Sequence, residues 1–327
     1  HTRLRKLVTA GFTRRRIEAL APRIRQIADD LLDDMAVQSV EQSVEQSVEQ
    51  SAELPADTGV DLINAYAFPL PMTVICELIG VPEPARADFR AWTQVLTRGY
   101  FADQDQFVAS ATAQTHYLRQ LVADKRRNPG DDLLSALVAV RDGGDRLSED
   151  ELTSMAWILV VAGHETTVNL IANGMHALLS HPEQLTLLRA CPELMESAVE
   201  ELLRFDGPLQ IAVPMRAREP IEIDGNHIRA GETVLAGLLG ANRDAERFAN
   251  PDTLDITRTD NAHLAFGHGV HHCLGAPLAR LEGKIALARL LDRFPRLRLA
   301  VPPSELSWNP NYLLHSLTRL PLTLTLS

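Results

Sequence analysis

The chain is poor in cysteine. Only Cys76, Cys191 and Cys273 occur in 327 residues, and their spacing suggests neither a bridge nor a cysteine-rich metal cluster. A disulfide scaffold is therefore excluded, and a reducing compartment, the cytoplasm, is expected. Long apolar runs are also missing. The longest, near Ala156–Gly163, falls well short of the ~20 residues that span a bilayer, so it reads as core helix and no membrane partner is expected. Positive charge is in deficit, with 32 Lys and Arg against 43 Asp and Glu and a net charge of −11, which argues against nucleic acid as a partner. No amino-terminal signal pattern is present. Residue 1 is His rather than Met, so the natural start is expected upstream.

What remains is 45% hydrophobic, enough for a large core, and mostly helical in pattern. Apolar residues recur at helical spacing over Arg14–Ala36, Leu62–Ile79, Pro84–Arg98, Gln104–Arg127 and Asp131–Arg141. Ser148-Glu-Asp-Glu151 is a capping-box start for a helix that runs to about Ser180, and shorter helices follow at Pro182–Ala190 and Pro192–Phe205. Strand signals come late: Ile221–Ile223 and Thr233–Leu238 around turn dipeptides, and Leu320–Leu326 as a terminal hairpin with Tyr312–Leu317. The expected fold class is mainly α with small β-sheets (α+β), as a single domain over 1–327. Residues 38–53 repeat Gln-Ser-Val-Glu and read as a solvated helical extension or loop inserted into that domain. Cys76, inside apolar Met72–Ile79, reads as core.

Cys273 differs from the other two cysteines. It lies in Phe266-Gly-His-Gly269-Val-His-His-Cys273-Leu-Gly275-Ala-Pro277, a glycine-rich loop followed by an amphipathic helix with Pro in its first turn. A thiolate there feels the positive end of the helix dipole, and Gly269 and Gly275 allow the backbone close to a flat ligand. A lone thiolate on iron is the arrangement that favours O–O cleavage.

This run resembles the cysteine loop of the cytochrome P450 family, the haem-thiolate monooxygenases of soluble bacterial type, through Phe266, Gly269, Cys273 and Gly275. Further motifs follow in the family's order. The resemblance implies the P450 fold, a haem b cofactor on Cys273, dioxygen as co-substrate, and electrons from a ferredoxin or similar small redox protein with its reductase. In the family, helices and a sheet edge precede the segment that opens this chain, so the sequence is expected to lack an amino-terminal part.

Ala162-Gly163-His164-Glu165-Thr166-Thr167 lies mid-way along the long predicted helix. A Glu and two Thr in an apolar helix are costly unless used or satisfied. Two readings stand: a kink with Thr bonded back to a carbonyl, or an opened turn beside the cofactor. The resemblance implies the second, with Thr166 holding a water and Glu165 relaying protons. His164 reads as a polar contact. Glu201-Leu-Leu-Arg204 resembles the family's Glu-x-x-Arg signature, and Arg247 is expected to complete a structural triad that pins the cysteine loop. His1, Arg5, Arg216 and His271 match the family's partners for the haem propionates, for which charged forks are apt. His271 and His272 beside Cys273 also admit zinc, but paired ligands for a tetrahedral site are missing. By the same resemblance Ile158, Val161, Ala162, Ala212, Val213, Leu313 and Leu314 line the substrate pocket; ordinary core is the alternative. All are apolar, which implies a largely apolar small-molecule substrate, hydroxylated or epoxidised in secondary metabolism.

Residues 1–28 hold Arg3, Arg5, Lys6, Arg14, Arg15, Arg16, Arg23 and Arg25 against Glu18 alone. The stretch reads as a solvated face or, with Arg280 and Lys284, as a docking patch for an acidic ferredoxin. The competing function is a haem-binding protein without turnover, acting as a carrier or sensor.

Overall fold

The structure, a computed structural model, describes residues 1–9, 12–48, 59–97, 103–140 and 145–324. Helix α1 (Thr2–Thr9) leads into α2 (Arg14–Ala19), whose cap Thr13 accepts from the Arg16 N–H. The helix expected over Arg14–Ala36 is broken at Leu20. Pro22 has no N–H to continue the ladder from α2, and α3 (Ala21–Val48) starts afresh. It runs into the Gln-Ser-Val-Glu repeat, whose residues 49–53 lie outside the described residues. The predicted helix over Leu62–Ile79 is likewise divided. A π-type turn at Ile63–Ala67 gives way to α4 (Pro69–Ile79), since Pro69 and Pro71 suit only a first turn. Then come α5 (Arg86–Thr97), α6 (Gln104–Arg127) and α7 (Leu133–Ala139). Residues 98 and 141, the expected ends of two helices, lie outside the described residues.

The central element is α8 (Glu149–Ser180). Its capping box forms as the sequence predicts: Ser148 Oγ accepts from the Glu151 N–H at 3.2 Å, and the Glu151 carboxylate accepts from the Ser148 N–H at 2.9 Å. This helix is apolar enough by length and composition to cross a membrane. Here it is core, packed by α4, α6, α10 (Met195–Asp206) and α12 (Ala276–Arg293), with Thr167–Met175 buried throughout. At Gly283 of α12 a Cβ would come within 2.8 Å of Leu170 on α8, so glycine sets that close approach. Helices α9 (Pro182–Ala190) and α11 (Leu238–Asn242) complete the set among the described residues.

The sheets are small. Strand β7 (Pro321–Thr323) lies between β1 (Val60–Asp61) and β6 (Arg298–Leu299), antiparallel to both. This corrects the expected terminal hairpin. Tyr312–Leu317 forms only isolated bridges, Leu314 to Leu209 and Leu317 to Trp308, and one of the last strand's two partners, β1, lies at the other end of the chain. Strands β3 (Ile221–Ile223) and β4 (Asn226–Ile228) pair around Asp224 and Gly225, both at positive φ, a turn suited to a two-residue hairpin. Strand β2 (Met215–Arg216) pairs with β5 (Thr233–Val234); the predicted extension of β5 to Leu238 is absent, because Leu238 begins α11. One apolar cluster runs from Leu7 to Leu324.

Candidate functional site

The cysteine loop hangs from two neighbouring acids on α10. Glu201 and Arg204 are both fully buried. Arg204 Nε and Nη2 each donate to the Glu201 carboxylate at 2.8 Å, and the guanidinium also reaches the carbonyls of Asn242, Pro251 and Thr253. Glu201 accepts further bonds from the Asp255 N–H at 2.9 Å, Arg258 Nε at 3.1 Å and Asn261 Nδ2 at 3.2 Å. The third charged member is therefore Arg258. Arg247 is a surface residue bonded to Asp260 at 2.7 and 2.9 Å, so the expected triad of Glu201, Arg204 and Arg247 is corrected at one position.

Glu200 braces the other end of the loop. Its carboxylate bonds His263 at 3.1 Å and Arg280 of α12 at 2.6 and 2.8 Å. Desolvation alone would raise its pKa, but those hydrogen bonds bring it down to about 2. Arg280 lies 4.5 Å over the Phe266 ring, and the Phe266 carbonyl accepts the Cys273 N–H at 2.9 Å. Neither Glu200 nor His263 was found from sequence; the only signal was a second Glu beside Glu201. Gly267 and Gly269 both take positive φ, +69° and +68°, which turns the loop. Gly275 is an ordinary helix cap at φ −81°, where an added Cβ would lie 3.8 Å from the Cys273 sulfur.

Cys273 itself is exposed. The atoms crowding its thiol push its pKa up through desolvation; N–H groups of Gly275 and Ala276 and the charges of Arg5 and Arg280 pull the other way. The His1 and His271 rings meet at 4.2 Å, and Arg5, one turn along α1, donates its N–H to the His1 carbonyl. The structure thus brings His1, Arg5, His271 and Cys273 together. Arg216 stands exposed on β2. The side chains of Arg5 and Arg216 make no hydrogen bond or ion pair among the described residues.

On α8, Ile158 is 54% exposed, Ala162 and Gly163 are exposed, and Val161, Glu165 and Thr166 are half-buried. Residues 158, 162 and 166 follow each other at four-residue spacing, so the core helix carries one uncovered face. The helix is unbroken there. Thr166 Oγ1 donates to the Ala162 carbonyl at 2.8 Å and Thr167 Oγ1 to that of Gly163 at 3.1 Å. The back-bonded reading describes this state, and no opened turn is present. His164 points into the protein, fully buried, edge-on to Phe68 at 4.4 Å and held neutral by desolvation down to about pH 3. Ala212, Leu313 and Leu314 are half-buried and Val213 is 75% exposed. A shallow 530 Å³ cleft lined by Arg15, Arg16, Glu77 and Asp131 touches none of the predicted site residues.

Comparison with known proteins places this geometry. Residues 192–319 match the profile of the family described as Cytochrome P450. Cytochrome P450 monooxygenase PikC of Streptomyces venezuelae is 50% identical over 324 residues, covering 98% of this chain and 73% of that protein. The chain belongs to the cytochrome P450 family. Vitamin D(3) 25-hydroxylase of Pseudonocardia autotrophica is 49% identical over 99% of this chain and 75% of that protein. Among solved structures, the Bacillus subtilis cytochrome P450 PksS superposes with a TM-score of 0.91 at 41% identity, covering 99% of this chain and 79% of that one. Like its relatives, this P450 is a haem-thiolate oxidoreductase that binds haem b.

The residues present suit that cofactor. A planar group with iron at its centre and two carboxylates at its edge calls for one soft ligand and uncompensated cations. The site offers one exposed thiol, two unpaired guanidiniums and two exposed imidazoles. Among the described residues no cluster of three or more His, Cys, Asp and Glu could hold a metal ion, which removes the support for zinc.

Proposed function

We propose that the protein is a monooxygenase that inserts one oxygen atom into a bulky, largely apolar small molecule, with Cys273 as the haem ligand. The observation that carries this reading is the exposed thiol standing among Arg5, His1 and His271, none of which has a carboxylate partner among the described residues. Haem b, when bound, supplies the redox chemistry that splits dioxygen and oxidises a C–H bond or double bond. Cys273 Sγ would bind its iron, and Phe266 and Arg280 hold the cysteine's loop. His1, Arg5, Arg216 and His271 would hold the propionates. Glu165 takes up protons and passes them to Thr166 Oγ1, whose bond to the Ala162 carbonyl is the one that must rotate for the hydroxyl to serve a second partner. Ile158, Val161, Ala162, Ala212, Val213, Leu313 and Leu314 form the pocket wall and exclude water. The relatives' names support a natural-product substrate: a 6-deoxyerythronolide B hydroxylase, a vitamin D(3) 25-hydroxylase, a polyketide-biosynthesis P450 and a nocardicin C N-oxygenase are among them. Electrons come from a ferredoxin-type protein, and the whole described chain acts as one domain.

Replacement of Cys273 by Ala tests the ligand. The reduced, carbon-monoxide-bound spectrum should lose its thiolate signature, and an unchanged spectrum would remove the assignment. In Thr166→Ala, electron consumption should continue while product per electron falls by about tenfold or more, in line with the 10²–10⁴ that positioned acid–base groups contribute. Wild-type coupling would argue against the relay.

A further inference from the structure

Away from the cysteine loop and the Glu201–Arg204 network, a cluster of polar and aromatic contacts surrounds His315. Its Nε2 lies 2.9 Å from Asp206 Oδ1, at the last residue of α10, and both side chains are about four-fifths shielded from water. Its ring stacks on Trp308 with centroids 4.0 Å apart and planes 7° from parallel. The edge of His176, from α8, meets the same indole at 5.7 Å. The backbone of His315 is held as well. Its N–H donates to the Pro208 carbonyl at 2.9 Å, and its carbonyl accepts from Asn173 Nδ2 of α8 at 2.8 Å. One residue thus ties α8, α10 and the segment after α10 to the carboxy-terminal segment.

The two residues before it are Leu313 and Leu314. The Leu313 carbonyl accepts the Gln210 N–H at 2.9 Å, the Leu314 carbonyl accepts Gln210 Nε2 at 3.1 Å, and both leucine N–H groups donate to Asn311 Oδ1, at 2.8 and 3.1 Å. The pair's N–H groups are bonded within the segment to Asn311 and its carbonyls across to Gln210, so the leucines are tied to the segment after α10 and their exact placement depends on the further anchor at the segment's end. At the far end that anchor is His315.

We infer that the Asp206–His315 pair, braced by the Trp308 stack, is a positioning clamp that sets where Leu313 and Leu314 stand and thereby which substrates the P450 accepts. The inference rests on the proposed place of those leucines in the pocket wall. The pair suits the role because a charge-assisted hydrogen bond shielded from solvent holds one geometry more firmly than a surface pair. The aromatic stack adds a preferred plane.

The test uses ferric, haem-loaded protein titrated optically with imidazole and with 4-phenylimidazole, whose added ring needs room beside the pocket wall. His315→Leu should change the ratio of the two dissociation constants by about fivefold, the scale of coupling between residues in one network. His315→Gln, which keeps an N–H for Asp206, should recover most of the wild-type ratio. If His315→Leu fails to retain haem, Asp206→Ala removes the acceptor instead and should move the ratio the same way. A wild-type ratio in these variants, with a shifted ratio in Leu314→Ala, would overturn the clamp and leave the pocket assignment standing. An unchanged ratio in Leu314→Ala would overturn the pocket assignment and the clamp with it.

Discussion

Removing a carboxylate from water, as at Glu201, is costly unless its oxygens have partners. Arg204 supplies two bonds, and Asp255, Arg258 and Asn261 supply the rest. Arg258→Ala should therefore lower unfolding stability by about 1.5–3 kcal/mol, the value of hydrogen bonds to a charged group, and weaken haem retention. Arg247→Ala, which loses an exposed pair with Asp260, should cost no more than about 1 kcal/mol. Urea midpoints of the haem-loaded variants decide between them, and equal losses would restore Arg247 to the network. The sequence pattern could not separate the two arginines, which lie 11 residues apart in an irregular segment without periodicity. Cys273, Glu201 and Arg204 were legible because they sit at fixed offsets in a loop and a helix. Arg258 is chosen only by how the chain between α11 and the cysteine loop folds back onto α10.

At the scale of elements, α12 carries a group that the chemistry does not use. Glu282 is 2% exposed, its Oε2 has no partner among the described residues, and burial pushes its pKa to about 8 from an ordinary 4.5. The folded protein therefore keeps a proton that the unfolded chain releases above pH 4.5. Between about pH 4.5 and 8 this group makes stability fall as pH rises, with a slope of up to about 1.4 kcal/mol per pH unit. Glu282→Gln should flatten that slope and raise the melting temperature most at pH 8 and above; a parallel pair of melting-temperature curves would show that Glu282 finds a partner in solution. Elements as such were mostly legible. The long helix announced itself by its capping box, and the helical spacing of α6 and α9 matched to the residue. The breaks at Leu20 and Phe68 were also present in the sequence, as Pro22 and Pro69, but apolar periodicity running through them masked the prolines. Strand pairing was the least legible. Strands of two or three residues carry no alternation to read, and the partner that β7 finds beside Val60 is remote in the chain.

For the whole molecule, charge is where the fold changes the sequence reading most. The basic amino-terminal stretch looked like one docking patch. In the structure Arg3 bonds Asp145 and Glu151, Arg14 bonds Glu18, Arg16 reaches Asp131 and Arg23 bonds Glu77, while Arg280 and Lys284 are taken by Glu200 and Glu196. Much of the local excess is thus internal cross-linking of a protein whose net charge is −11. For the proposed acidic redox partner the cations left to steer it are fewer: Arg15, exposed and without an ion pair among the described residues, is one. Steering by few charges is weak and short-ranged, since screening acts over ~8 Å at physiological ionic strength. Arg15→Glu should therefore slow the first electron transfer from a reduced ferredoxin several-fold at low salt, with the difference from wild type gone by about 0.5 M salt. Arg23→Glu, which breaks the bond to Glu77, should instead lower stability and leave the rate per folded molecule unchanged. Stopped-flow reduction under carbon monoxide across a salt series separates the two, and a rate in Arg15→Glu equal to wild type at every salt concentration would exclude this face from docking.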